Sequence, residues 1–431
     1  MSPDPSRFGL DRHTKFLLLV GFMIASMASL SALPFLLPWG ADLHNVHVYE
    51  HCTHGRSPYL IGGAECGDFW RRSFPYPPLL YALFFWTRSF TLATSMRIWG
   101  IFLYAAFIAI FHLWTRLIAS EPLAKGDRTR YEVPVFCALL LFQYPFVFAL
   151  ERGNTDTVTV LFYTAGAYLF TRRRLWLAGA AVGVAAGFKL HPVLAVAALV
   201  MSLLLALRDP DRRVGGGRRV GKLDWLRFGG GALVAFAATL LAFPESSLIY
   251  LRKMLPAFAE TFTPDSEFGH SVSSAVGSQY PGFANLICGA LLGLWGWAGA
   301  RAIARGEEAW ALAGALAVCT YASRTSWDYN LVTTYPLLLL LFLRARRTDR
   351  WSLLAFGLFV IAGDRRLFKL PNAQILTAQL HLTLQLAFLA MTALVVARGD
   401  APAVAMTPTD DEESAGIHPQ SELASIRRFQ P

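Results

Sequence analysis

Apolar residues in this chain come in long blocks, not in the alternating or three-to-four spacing of half-buried soluble elements. The first block, Phe16–Pro38, runs about 23 residues without a charge, enough to cross a ~30 Å hydrocarbon core at 1.5 Å per residue. Similar blocks recur to residue 397. The pattern predicts an all-α polytopic membrane protein. For the first block the alternative is a cleaved signal peptide, since "ASMASLSA" supplies small residues. Signal cores usually run only ~7–15 residues, which favours an uncleaved anchor.

Basic segments set the orientation, because cytoplasmic loops retain Lys and Arg. The N-terminus, "EPLAKGDRTRYE", "RRR" at 172–174, the Gly- and Arg-rich 208–227 segment, "RARRTDR" at 344–350 and the tail from Arg398 all read as cytoplasmic. Spans then fall near 134–150, 155–171, 175–188, 191–207, 228–243, 281–304, 309–323, 330–343, 352–362 and 374–397. Between the first span and "EPLAKGD", 78–92 and 97–118 are both apolar, but parity allows an odd number of crossings there. One of the two is therefore re-entrant or interfacial, and the expectation is a fold of about 12 spans. Residues 1–15 form the cytoplasmic N-terminus, 16–398 the transmembrane domain, and the Pro-, Asp-, Glu- and Ser-rich 399–431 a disordered cytoplasmic tail. No internal repeat is visible.

This threading gathers the unexcused polar residues on the outer side: a long first loop at 39–77, "ERGNTD", "FKLHP", 244–280, "SRTSWDYN" and "GDRRLFKLPN". Several flanking spans are short, so these turns are expected to sink below the membrane surface. Charged residues make up 16% of the 431, against ~25% in soluble domains. The net charge of +10 follows from cytoplasmic basic loops and does not call for nucleic acid. The five cysteines show no zinc spacing. Cys52 and Cys66 share the first outer loop and could form a disulfide there.

Charges at a membrane edge are costly and become candidates for function. "ALERGNTDTVTVLF" sets Arg152, Asn154 and Asp156 between two apolar helices, where Asn154 or Asp156 also suits a helix cap. In "AGAAVGVAAGFKLHPVLAV", Gly179, Gly183 and Gly187 allow close helix packing before Lys189, His191 and Pro192. Lys189, at the tip of such a hairpin, can hold a phosphate, or simply snorkel to the interface.

Asp42 after the first span, "GRSPY" at 55–59, "YPPLL" at 76–80, "ERGNTD", "AGAAVGVAAGFKLHP" and "SRTSWDYNLVTTYPLLLLL" occur in that order. The ordered set resembles glycosyltransferase family 87, polyprenol-phosphate-mannose-dependent mannosyltransferases of the GT-C class, over about residues 16–343. The resemblance implies a multi-span helical fold with an extracytoplasmic site, a lipid-phosphate sugar donor, and Asp42 as catalytic residue. The family's Gly-Gln-x-Asn motif stands here as "ERGN", and its Ser-Trp motif continues with Asp328 and Tyr329. These departures bear on the substrate.

The chemistry agrees with the residues. Transfer from a prenyl phosphate needs no nucleotide cofactor, and the chain has no P-loop or dinucleotide fingerprint. It needs a base for the acceptor hydroxyl, for which Asp42 is the candidate. It also needs positive charge at the phosphate, for which Arg152, Lys189, His191 and Arg324 are the candidates. Tyr59, Tyr76, Asn154, Asp156, Trp327 and Asp328 are expected to contact substrate. The partners are then a polyprenyl-phosphate sugar, a glycan or glycolipid acceptor and membrane lipid. His44, His47, His51 and His54 recur on one helical face beside Glu50, but not in a zinc spacing, and no metal is assigned to them. The rival reading is a transporter or a flippase of lipid-linked sugars. A flippase has no need of a positioned base. The expected location is a bacterial plasma membrane.

Overall fold

The computed structural model describes residues 42–44, 46–47, 59, 76–118, 136–137, 139–141, 143–208, 221–256, 272, 280–323, 328–346, 350–362 and 374–399. Among them every regular element is helical. The first block, the Cys52–Cys66 pair, His51, His54, Glu50, Arg324, Trp327 and the tail beyond Gly399 lie outside the described residues.

Helix α1, Pro78–Leu83, is followed by a 3-10 turn, Phe85–Ser89, and then by the 27-residue α2, Leu92–Ile118. This assigns the ambiguous stretch: six residues rise only ~9 Å, so α2 is the element of crossing length. The block at 134–150 is broken, with Gln143 extended (ψ 146°) and α3, Tyr144–Arg152, starting beyond it. Pro145 sits in the first turn, where its missing N–H leaves no gap in the helical ladder.

Three helices carry the site motifs: α4, Asp156–Thr171; α5, Leu175–Phe188; and α6, Pro192–Ala206. Helix α7, Asp224–Leu241, then turns through 108° into α8, Pro244–Ile249, which continues as a π-helix, Tyr250–Met254. The rest of the bundle is α9, Pro281–Arg305; α10, Glu308–Ala322; a 3-10 helix, Asp328–Thr334; α11, Tyr335–Arg346; α12, Arg350–Ala362; and α13, Gln374–Arg398.

By length and composition, α2 and α9 can each cross a membrane, as can the bent α7–α8 pair if counted as one span. Among the described residues, α5, α6, α10 and the Leu382–Arg398 part of α13 are shorter apolar segments of 10–17 residues. The 14 residues of α5 rise only ~21 Å, less than a ~30 Å hydrocarbon core.

Helix α5 packs on α4 and α7, while α6 packs on α9 and α10. The α5–α7 contact is backbone on backbone: a methyl at Gly179 or Gly183 would overlap the carbonyls of Phe228 or Ala232. Along α4 and α5 the chain runs between two chemically different ends. At one end lie the turns holding Asn154 and Lys189. At the other, Arg173 pairs with Glu308 at 2.6 Å, and Arg305 reaches Glu307 and the carbonyl of Ala397. The Arg173 turn thus lies at the opposite end of these helices from the Asn154 and Lys189 turns.

Candidate functional site

The turn after α3 brings the site together. Gly153 takes φ 66°, its N–H donates to the Leu150 carbonyl, and the Asn154 N–H donates to the Ala149 carbonyl. That double closure ends the helix and needs a residue tolerant of the left-handed region. The Gly153 carbonyl accepts from the Trp99 indole at 3.0 Å. A Cβ at 153 would stand 2.7 Å from the Leu43 Cβ, so the turn lies directly against the residue that follows Asp42. Leu43 in turn belongs to an apolar cluster with Leu80, Phe84, Trp99, Val158 and Phe188.

Over this cluster runs one continuous polar network. Arg152 donates to Asp42 Oδ1 at 2.7 Å, and Asn154 Nδ2 donates to Asp42 Oδ2 at 2.6 Å. Asn154 Oδ1 accepts from the Asp156 backbone N–H at 2.8 Å and from Lys189 Nζ at 3.3 Å. Lys189 also donates to Asp156 Oδ2 at 2.9 Å. Asn154 and Asp156 are fully buried, and Lys189 is 7% exposed. Charges so deep persist because each has a partner; removing one partner of a buried pair costs ~3–5 kcal/mol.

His191 sits in the turn between α5 and α6, its Nε2 3.9 Å from Asp156 Oδ1. Arg152 and Lys189 are the cations paired directly with carboxylates here. Tyr76 lies under Lys189, with the ammonium 5.3 Å from its ring centroid, and its carbonyl accepts from the Tyr59 hydroxyl.

Eight of the residues picked out in the sequence thus meet: Asp42, Tyr59, Tyr76, Arg152, Asn154, Asp156, Lys189 and His191. Asp328 opens a 3-10 helix, and that helix packs against α3. His47 Nε2 lies 3.0 Å from the Phe90 carbonyl. Among the described residues no group of three His, Cys, Asp or Glu side chains is placed to hold a metal.

Sequence reasoning missed three contributors. Trp99 clamps the Gly153 carbonyl, and nothing local in α2 marks it for that role. Tyr250 packs its ring 5.8 Å from that of Tyr59. Gly153 was legible in principle, as a glycine just past a helix that ends in a charged pair.

A helical membrane-type bundle with a buried carboxylate–cation network at one end is the class that fold and site define. The profile of glycosyltransferase family 87 matches residues 74–326, and the chain belongs to that family. A relative from Mycolicibacterium smegmatis, a polyprenol-phosphate-mannose-dependent alpha-(1-2)-phosphatidylinositol pentamannoside mannosyltransferase, is 26% identical over 40% of this chain and 41% of its own. A protein of the same name from Mycobacterium tuberculosis is 23% identical over 41% of each chain. The chain thus matches about two fifths of the length of these relatives. No solved structure matches it.

Proposed function

We propose that this chain is a membrane mannosyltransferase. It moves mannose from a polyprenyl-phosphate donor to a hydroxyl of a glycan or glycolipid acceptor, at the extracytoplasmic face of a bacterial plasma membrane. Twelve spans remain the proposed topology. The observation that carries the reading is Asp42, a largely buried carboxylate held by Arg152 and Asn154 beside the Lys189–Asp156 pair. The family and the names of the two relatives support the donor class.

In the proposed reaction the acceptor oxygen forms a bond to the anomeric carbon as the bond from that carbon to the phosphate oxygen breaks. The hydroxyl proton passes to Asp42, and the electron pair leaves with the phosphate. Attack from the opposite face inverts the centre, so a β-linked donor gives an α-linked product. Without ligand, the carboxylates neutralise both cations. Arg152 can keep Asp42 and still serve a phosphate, because a guanidinium offers five N–H donors in a planar fork. Lys189, with three donors, is the partner whose contacts must change if the phosphate is to reach it.

The experiment is reconstitution in lipid with polyprenyl-phosphate mannose and candidate acceptors, followed by mass detection of the product. A mannosylated acceptor with release of polyprenyl phosphate supports the reading. Movement of intact donor across the bilayer without release would instead support the flippase.

A further inference from the structure

The bend after α7 carries an inference separate from the transfer reaction. Helix α7 presents Leu233 (68% exposed), Val234 and Leu241 (73%) outward, as a helix facing lipid does. In the proposed topology α7 is a crossing helix. The chain then turns by 108°, so that with α7 crossing, residues 244–254 would lie close to the membrane plane. The bend is fixed by the Ser247 hydroxyl, which donates to the Leu240 carbonyl at 2.7 Å.

This arm is amphipathic. Ser247 and Tyr250 are buried, while Pro244 and Glu245 at its start and Leu248, Leu251, Arg252 and Lys253 further along are exposed. Apolar side chains beside paired cations, on an element lying along the surface, fit an interface that offers acyl chains and phosphates together. We propose that the 244–254 arm lies in the membrane interface and binds anionic phospholipid headgroups through Arg252 and Lys253. Leu248 and Leu251 enter the acyl boundary, and the two cations take the headgroup phosphate. Tyr250, in the π-helical stretch, ties the arm to Tyr59, whose hydroxyl holds the Tyr76 carbonyl beside Lys189.

The test uses the full chain in nanodiscs containing spin-labelled phosphatidylglycerol or spin-labelled phosphatidylcholine. The parent is expected to immobilise the anionic label several-fold more than the zwitterionic one. An Arg252→Gln/Lys253→Gln variant should lose most of that preference, because both cations near the anionic surface are gone. Lys222→Gln, an exposed lysine before α7, should keep it. Unchanged preference in the double variant overturns the proposal. As a second readout on the unmutated protein, a photoactivatable headgroup analogue of phosphatidylglycerol should crosslink within residues 244–256. Crosslinks confined to other segments also overturn it.

Discussion

Asn154 donates to Asp42 at 2.6 Å although 112 positions separate them, and the other face of the same amide accepts from Lys189 at 3.3 Å. One neutral side chain therefore joins two ion pairs, Arg152–Asp42 and Lys189–Asp156. If Asp42 is the base, Asn154 is the residue that aims it.

Asn154→Ala is accordingly expected to lower kcat by about tenfold or more, the effect of losing a hydrogen bond to a charged group worth ~1.5–3 kcal/mol. The KM for donor should change far less, since both cations remain. Steady-state kinetics at saturating acceptor checks this. A rise in KM with kcat intact would make Asn154 a substrate contact instead.

Gly153→Ala tests the turn. A β-carbon there meets both a left-handed backbone, at ~1–2 kcal/mol, and the Leu43 Cβ at 2.7 Å. Thermal unfolding in detergent should show a lower midpoint than the parent, with transfer reduced because Leu43 adjoins Asp42. A midpoint equal to the parent's would mean that the 153 turn and the 42–44 segment do not pack as described.

How far the sequence reaches is visible in the elements themselves. Helix α5 falls at 175–188 by pattern and by structure, because "RRR" precedes it and "KLHP" follows it. The block at 134–150 was not legible as two pieces: composition sees a continuous apolar run, whereas Pro145 imposes a helix start. Composition likewise could not choose between 78–92 and 97–118, since both are apolar and only helix length separates them. At the site, residue types were legible and partners were not. Arg152 and Lys189 read as cations available to phosphate, but the fold pairs them with Asp42 and Asp156. Such pairings join distant segments and leave no local trace.

The Lys189–Asp156 pair separates structure from donor binding. Lys189→Met strands a fully buried carboxylate and should destabilise by ~3–5 kcal/mol, whereas Lys189→Met/Asp156→Asn removes both charges and should recover most of that loss. Transfer is expected to stay low in the double variant, because the phosphate still lacks its cation. Unfolding midpoints paired with donor-binding titrations check both halves. Normal transfer in the double variant would remove Lys189 from the donor site.

Sidedness can be read by thiol labelling. After reduction, Cys52 and Cys66 should react with an impermeant reagent in intact cells, while a cysteine in place of Gly216 should react only after permeabilisation. Labelling at 216 in intact cells would invert the proposed topology.

The most direct measurement is single-turnover transfer by Asp42→Asn. The amide fits the space but offers one acceptor oxygen where Arg152 and Asn154 now each find one. Some loss of stability is expected, so unfolding and donor binding must be measured on the same preparation. With the fold intact and donor bound, transfer should drop by ~10²–10⁴-fold, the usual contribution of a general base. Turnover within a few-fold of the parent would contradict the account, leaving Asp42 as the anchor of Arg152 and Asn154 and sending the search for a base to Asp156, Glu151 or Asp328.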